Sequence, residues 1–295
     1  MASIDSICAR LCLLTRIGKK QDDPAPLSRA TVRRMLRLGA IDGIALREVS
    51  GIKAEHYERA QALLSHSALV YEKLERYRAQ GFEVLLPEDD EWPVNLEAMA
   101  MQMPQYLFVK GNTELFSRRT VAVAGSRKIS SETMEIAGQC GKMIAYAGCT
   151  MVCGGAQGVD TMAQRGALEA GGSLILVPAL PARDLLNQQY LQKAIKDQRL
   201  LICCETWPDV AFSAAKALSR NHTIYALGDA AVVVASRCGV GGSWWGAVDC
   251  LRGGYTPVYA VCTDDADMEG NRALLDLGAK KCDIRKPIIN QVFQE

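Results

Sequence analysis

The sequence has little of what marks a metal site, a membrane protein or a uniformly basic DNA-binding protein. It has only three histidines, and no pair of cysteines shows the Cys-x-x-Cys spacing of a zinc or redox site. No apolar run approaches the roughly 18 residues of a membrane-spanning helix. The formal net charge is +1, so only a local basic patch could attract nucleic acid. We therefore expect no metal site, no membrane span and no uniformly basic surface.

Eleven cysteines are nonetheless present. Several lie inside apolar, strand-like runs, where a free cysteine behaves as a small hydrophobic residue, and cytosolic proteins keep such thiols reduced. Residues 1–15 are mildly apolar, but Asp5 and Arg10 interrupt them and the features of a signal peptide are missing. The sequence thus predicts reduced core cysteines and a cytoplasmic location.

The first 80 residues are predicted to form a small helical domain. Apolar residues recur there at spacings of three and four, as at Val32 and Met35. A small-residue turn at 46–52 separates two helix-like pieces. It is either a joint within a helical bundle, which is the simpler interpretation, or a hairpin that contacts a phosphate backbone. Residues 81–118 then read as a connector with short strands.

Residues 119–295 are predicted to form a Rossmann-like, doubly wound α/β domain with a mostly parallel sheet. Short apolar runs occur at regular intervals, and their hydrophobicity is nearly continuous, as in strands covered on both faces. Helix-like segments separate several of them, and this alternation implies a parallel sheet with right-handed crossovers. The predicted strands are 121–124, 150–153, 174–177, 200–204, 231–235 and 258–262.

Glycines and small polar residues follow three of these strands, at the carboxyl edge where such sheets bind ligands. The first cluster is Gly125-Ser126-Arg127. Glycine permits a tight turn, a helix N-terminus attracts an anion, and arginine can bind a phosphate through two hydrogen bonds. The segment is therefore either part of a phosphate site or a glycine turn followed by a solvated arginine.

The second cluster contains Gly154, Gly155 and Gly158, three glycines within five positions. This density indicates that the backbone approaches another group closely. Asp160, two residues later, either caps the next helix or contacts the ligand.

The third cluster follows the fifth strand and includes Gly242 and Ser243. Its glycine-rich backbone also suits a phosphate. The adjacent Trp244 and Trp245 either stack on a nucleobase or pack the next helix onto the sheet. We expect packing for at least one of them.

The common nucleotide fingerprints are missing from the sequence. There is no Gly-x-Gly-x-x-Gly followed by an acid at the right distance, no P-loop and no Gly-x-Ser-x-Gly elbow. These absences disfavour NAD binding, P-loop ATP hydrolysis and α/β-hydrolase chemistry. One histidine, His222, is weak evidence for acid–base catalysis. We predict no catalytic residue and no cofactor.

Taken together, the motifs resemble the DNA-processing protein A family (DprA, also called Smf) from about residue 74 to 279. The order and spacing of the pieces are more specific than any single piece. The resemblance rests on Leu85-Leu86-Pro87, Trp92-Pro93, Tyr106 to Asn112, Val123 to Arg127, Gly154 to Asp160, Arg220 to Ile224, Gly242-Ser243 and Gly270-Asn271.

The resemblance implies a homodimeric protein that binds single-stranded DNA and helps to load a RecA-type recombinase onto it. The sequence departs from the family pattern at Gln157 and His222, where arginines are usual, and too few residues follow Ala279 for the winged helix of many members. Fewer cations weaken phosphate binding. The predicted phosphate-binding residues are Gly125, Ser126, Arg127, Gly154, Gly155, Gln157, Gly158, Asp160, Arg220, Asn221, Gly242 and Ser243.

Two other interpretations remain beside single-stranded DNA binding. One is a sensor or enzyme for free nucleotides, similar to the cytokinin-activating phosphoribohydrolases, with Glu205 as the candidate acid. The characteristic Pro-Gly-Gly-x-Gly-Thr-x-x-Glu run of those enzymes is missing here. The other is a protein-interaction module that has kept the fold but uses no ligand.

Overall fold

A computed structural model describes residues 2–17, 23–263 and 268–293. The chain forms two compact units. The first unit is Met1–Trp92 together with Met101–Val109, and the second unit is Pro93–Ala100 together with Lys110–Glu295. Within the described ranges, no helix is both long and apolar enough to cross a membrane. The same ranges hold no cluster of three or more acidic, histidine or cysteine side chains that could bind a metal ion.

The first unit is built on helices α1 (Ile4–Leu14), α2 (Arg29–Arg37), α3 (Ala54–Leu64) and α4 (Ser67–Arg78). Helix α1 packs against the other three and buries Leu11, Cys12 and Leu13 completely. The side chains of Ser3 and Ser28 cap α1 and α2. A short antiparallel pair, β1 (Ile41–Asp42) with β2 (Ala45–Leu46), lies between α2 and α3. Strands of two residues are too short to show an alternating pattern, so the sequence did not predict them.

The first unit also contains β3 (Glu83–Leu85) and most of β4 (Leu107–Gly111), which pair antiparallel. Tyr77 meets Phe82 and Phe108 edge to face, with ring centroids 6.0 and 5.9 Å apart. Arg10 is buried in the same unit and pairs with Glu88 at 2.6 Å. Its charge is thus compensated within the protein.

The sheet of the second unit has the parallel order β11-β10-β9-β5-β6-β7-β8. Six of the parallel strands lie within one residue of their predicted bounds, which confirms the Rossmann-like fold. The seventh, β11, was not predicted because Lys280 and Lys281 are exposed and break the apolar pattern. The strands are β5 (Thr120–Gly125), β6 (Thr150–Cys153), β7 (Ser173–Leu176), β8 (Leu200–Cys204), β9 (Ala230–Ala235), β10 (Val258–Val261) and β11 (Lys280–Cys282).

Among the helices of this unit, two groups pack most closely. Helix α5 packs on α6 so closely that a Cβ on Gly141 would overlap the carbonyl of Ala163. Helix α10 packs on α9 and α11. The helices are α5 (Ser131–Tyr146), α6 (Val159–Glu169), α7 (Ala182–Leu186), α8 (Gln189–Lys196), α9 (Ala214–Leu227), α10 (Gly241–Gly253), α11 (Glu269–Asp276) and α12 (Ile289–Val292), with 3-10 turns at Val94–Gln102 and Thr113–Ser117.

The strand order reverses at β5. The chain runs from β5 through β6 and β7 to β8 on one side, and β9, β10 and β11 extend the sheet on the other side. With right-handed crossovers, this reversal sends α5 and α10 to opposite faces of the sheet and leaves a crevice between β5 and β9. Open α/β sheets bind their ligands at such a switch point. The fold thus brings the segment after Gly125 beside the segment after Ala235.

Candidate functional site

A cleft of about 620 Å³ lies at this switch point. The loops after β5 and β9, the first turn of α10 and part of α9 form its walls. Cationic side chains dominate its charged lining, with Asp160 as the opposing carboxylate, although the whole chain carries only +1. The cationic residues are Arg127, Lys128, Arg220 and Arg237. The arrangement creates a local positive potential that suits an anion.

Eight of the twelve predicted phosphate-binding residues line this cleft: Gly125, Ser126, Arg127, Asp160, Arg220, Asn221, Gly242 and Ser243. The other four, Gly154, Gly155, Gln157 and Gly158, lie in the adjoining loop after β6, from which only Ala156 reaches the lining before α6 begins. Parallel strands end at one edge of a sheet, so the segments after β5 and β9 meet although they are far apart in sequence.

Arg220, on α9, is buried in the wall of the cleft with only 8% of its surface exposed. Within the described part of the chain it has no hydrogen-bonded or ion-paired partner, and its Nε is buried without an acceptor. Burial lowers the pKa of this guanidinium, and the charge of Asp160 opposes the shift. A buried cation that is only partly compensated costs free energy. A negatively charged ligand in the cleft would remove that cost.

The loop after β6 is held by hydrogen bonds to Asp160 and leaves space for the side chain of Arg220. Nη1 of Arg220 lies against the main chain of Gly154, where a Cβ would overlap it. Oδ2 of Asp160 accepts hydrogen bonds from the N–H groups of Gly154 at 3.0 Å and Ala156 at 3.2 Å. The carboxylate thus holds the loop, while Gly158 is the N-cap of α6. Burial raises the pKa of Asp160, against the effects of Arg220 and the two N–H groups.

Gly158 joins the loops after β5 and β6. Its φ is +84°, and a Cβ there would lie 2.6 Å from the carbonyl oxygen of Arg127. The N–H of Val159 donates to the carbonyl of Ser126 at 3.2 Å. Any side chain at Gly158 would therefore strain the backbone and push the two loops apart. Gln157, beside it, is exposed.

Both predicted serines tie main-chain segments together. The N–H and the Oγ of Ser126 donate to the carbonyl of Ala235, at 2.9 and 3.3 Å. The Oγ of Ser243 donates to the carbonyl of Gly125 at 2.7 Å. Since these hydroxyl protons are directed at main-chain oxygens, an anion would meet the arginines instead. It would also meet the N-terminus of α10, which no side chain caps.

Arg237, Lys128 and Phe212 line the cleft but were not predicted. Arg237 carries a signal that could have been found: Ser-Arg follows both β5 and β9, at 126–127 and 236–237, and the two strands are neighbours. Phe212 precedes α9 and supports Arg127, whose Cζ lies 5.4 Å from the ring centroid. No sequence pattern marks that contact.

The remaining candidates from the sequence are two tryptophans, a histidine and a glutamate, and of these only Trp245 lines the cleft. Trp244 is buried, as predicted for at least one of the pair, whereas Trp245 is partly exposed and lines the cleft. Nε2 of His222 lies 3.1 Å from Oδ2 of Asp249, joining α9 to α10. Neither His222 nor Glu205, the two residues considered for acid–base chemistry, is part of the cleft lining.

Sequence comparison identifies related proteins. Residues 83–293 match the family described as DNA recombination-mediator protein A. A curated protein of Mycobacterium tuberculosis strain H37Rv, named as a DNA processing protein DprA, is 26% identical over 250 residues, which cover 78% of this chain and 61% of that protein. The chain thus spans about 61% of the length of the curated relatives that it matches.

Two solved structures share the fold. The X-ray structure of DNA processing protein A from Streptococcus pneumoniae has a TM-score of 0.69 at 20% identity, covering 96% of this chain and 95% of that one. The Helicobacter pylori DNA processing protein A, described by its unique single-stranded DNA binding mode, has a TM-score of 0.59 at 24% identity, covering 72% and 95%. Because the family match covers well over half of the sequence, this chain belongs to the DNA recombination-mediator protein A family.

Proposed function

We propose that this protein binds single-stranded DNA by holding its phosphates in the cleft between β5 and β9. The observation that carries the proposal is Arg220, a buried guanidinium without a partner among the described residues, in a cleft lined by three further cations. Arginine binds phosphate through paired, charge-assisted hydrogen bonds. The name of the family and the DNA-binding description of the H. pylori relative support the same role.

The contacts available in the cleft determine what kind of binding to expect. Guanidinium groups and helix N–H groups contact phosphates, which carry no base identity, so binding is tolerant of sequence. Each phosphate neutralised on a single strand contributes about −0.7 to the slope of log affinity against log salt. The complex is therefore strongest at low salt.

Fluorescence anisotropy with labelled oligonucleotides of several sequences, over a series of salt concentrations, tests the proposal. Arg127→Ala should weaken binding to every sequence and flatten the salt slope by about 0.7. Arg165→Ala is the matched control, since Arg165 is also exposed and also lies over an aromatic ring, that of Tyr190 at 5.9 Å, but outside the cleft. The proposal fails if the unaltered protein binds no oligonucleotide at low salt, or if both variants weaken binding equally.

We make two further proposals, and the family description as a recombination mediator supports the second of them. The protein acts as a homodimer, and it passes the bound strand to a RecA-type recombinase. Light scattering during size-exclusion chromatography tests the first, and a monomer at micromolar concentration would contradict it. Recombinase filament growth on a strand coated with single-strand binding protein tests the second, and a rate independent of this protein would contradict it.

A further inference from the structure

The cleft is apolar as well as cationic. Phe212, Leu218, Val240 and Trp245 line it, and each of these side chains is at least 40% exposed. Inorganic phosphate or a sugar phosphate gains nothing from such a surface. The lining therefore suits a ligand that joins a negative charge to a flat apolar group.

Two aromatic side chains line the cleft, Phe212 and Trp245, and Trp245 is the one whose ring remains available to stack on a ligand. The ring of Phe212 already carries the guanidinium of Arg127, whereas the indole of Trp245 has no aromatic or cationic partner within the described part of the chain. Trp244, its neighbour in the first turn of α10, is buried and anchors the helix. Successive residues of a helix point in different directions, so the anchored turn presents Trp245 to the cleft.

We infer that Trp245 stacks on an unpaired nucleobase of the strand whose phosphate lies at Arg220 and the N-terminus of α10. The inference rests on the proposed function and extends it from phosphate binding to base binding. Stacking on an aromatic ring tolerates every base, so it preserves the lack of sequence preference. It also selects against a duplex, because paired bases have their faces covered by neighbouring pairs. Trp245 is in this way a specificity determinant for single strands.

The test compares two strands that carry the same phosphates. One is oligo(dT), and the other is an abasic strand of equal length. Trp245→Ala should weaken oligo(dT) binding about tenfold, leave abasic binding within about twofold, and leave the salt slope unchanged because no charge is removed. Trp245→Phe should restore most of the loss. Tyr146→Ala, which removes an exposed aromatic outside the cleft, is the control and should change neither affinity.

Tryptophan fluorescence gives an independent readout. Trp92, Trp207 and Trp244 are each 5% exposed, whereas Trp245 is 43% exposed. Oligo(dT) should therefore quench the emission of the unaltered protein and protect it from iodide, and Trp245→Phe should lose both effects while still binding the strand.

The outcomes separate the inference from the proposed function. If Trp245→Ala weakens both strands equally, or neither, base stacking is refuted. Equal affinity of the unaltered protein for oligo(dT) and the abasic strand refutes base binding and leaves phosphate binding intact. Failure to bind either strand refutes both. Equal quenching by oligo(dT) in the unaltered protein and in Trp245→Phe also contradicts the inference.

Discussion

Two buried arginines, one in each unit, have opposite surroundings. Arg10 is 7% exposed, and its guanidinium donates to both carboxylate oxygens of Glu88 and to the carbonyl of Gln105. Arg220 is 8% exposed and has no such partner in the described part of the chain. Burial lowers the pKa of both side chains. Burial alone therefore does not separate a structural arginine from a ligand-binding one; the partner supplied by the protein does.

The largest expected effect is on DNA affinity in Arg220→Met. Loss of one partner from a desolvated charge pair typically costs about 2–5 kcal/mol, so the affinity for oligo(dT) should fall about a hundredfold at low salt. The free energy of unfolding should change little, because removal of a buried charge that has no hydrogen-bonded partner is offset by loss of its attraction to Asp160. Anisotropy titration and urea denaturation measure the two quantities. Unchanged affinity, or a large loss of stability, would make Arg220 a structural residue like Arg10.

Glu88→Ala is the converse change, and it should lower the free energy of unfolding rather than the affinity for DNA. It leaves the buried guanidinium of Arg10 without its carboxylate, and breaking a buried pair costs about 3–5 kcal/mol. Since Glu88 itself is half-exposed, we expect a smaller loss, about 2 kcal/mol, in the free energy of unfolding. The affinity of the folded variant for oligo(dT) should equal that of the unaltered protein. A change in affinity without a change in stability would reverse the contrast between the two arginines.

Asp160→Asn should strengthen binding by a smaller factor. The amide oxygen can still accept the hydrogen bonds from Gly154 and Ala156, while the negative charge that competes with the ligand is removed. Weakly screened charges near a protein surface interact by about 1 kcal/mol or more, so affinity should rise about fivefold at low salt and less at high salt. A loss of affinity at unchanged stability would show that the carboxylate itself contacts the ligand.

The pH dependence of the same pair has a defined sign. Burial raises the pKa of Asp160, so its charged form destabilises the folded state at any pH above the ordinary aspartate range. Acidification through the raised folded pKa removes that cost and removes the competing charge. Affinity for oligo(dT) should therefore rise as the pH falls from neutrality towards that pKa, and Asp160→Asn should abolish this rise. An equal rise in both proteins would assign it to another group.

The sequence was sufficient for the buried parts of the fold, whereas the phosphate site stays a prediction. Strands such as β6 and β8 are covered on both faces, so their apolar runs mark their bounds. The glycine-rich loops after β5, β6 and β9 were selected as a candidate site by the rule that ligands bind at the carboxyl edge. The hydrogen-bond partners of individual side chains could not be predicted from the sequence. That Asp160 accepts from the loop before it, or that Ser126 donates to Ala235, depends on contacts between segments that no local pattern records.

The smallest expected effect is on the rate at which one thiol at the edge of the cleft is modified. This rate distinguishes an exposed cysteine from the buried ones. All eleven are free, and Cys238 alone is exposed. Burial raises the pKa of Cys153, Cys204 and Cys250 to about 12, so their reactive thiolate forms are scarce at neutral pH. Iodoacetamide should therefore modify Cys238 first, as mass spectrometry can show, and Cys238→Ser should lose this fast reaction.

Because Cys238 follows Arg237, which lines the cleft, oligo(dT) should slow its modification in the unaltered protein. The protection should disappear in Arg220→Met, since that variant keeps the thiol but loses the strand. If oligo(dT) protects Cys238 equally in both proteins, the bound strand does not depend on Arg220, and the contrast between the two buried arginines has no functional meaning.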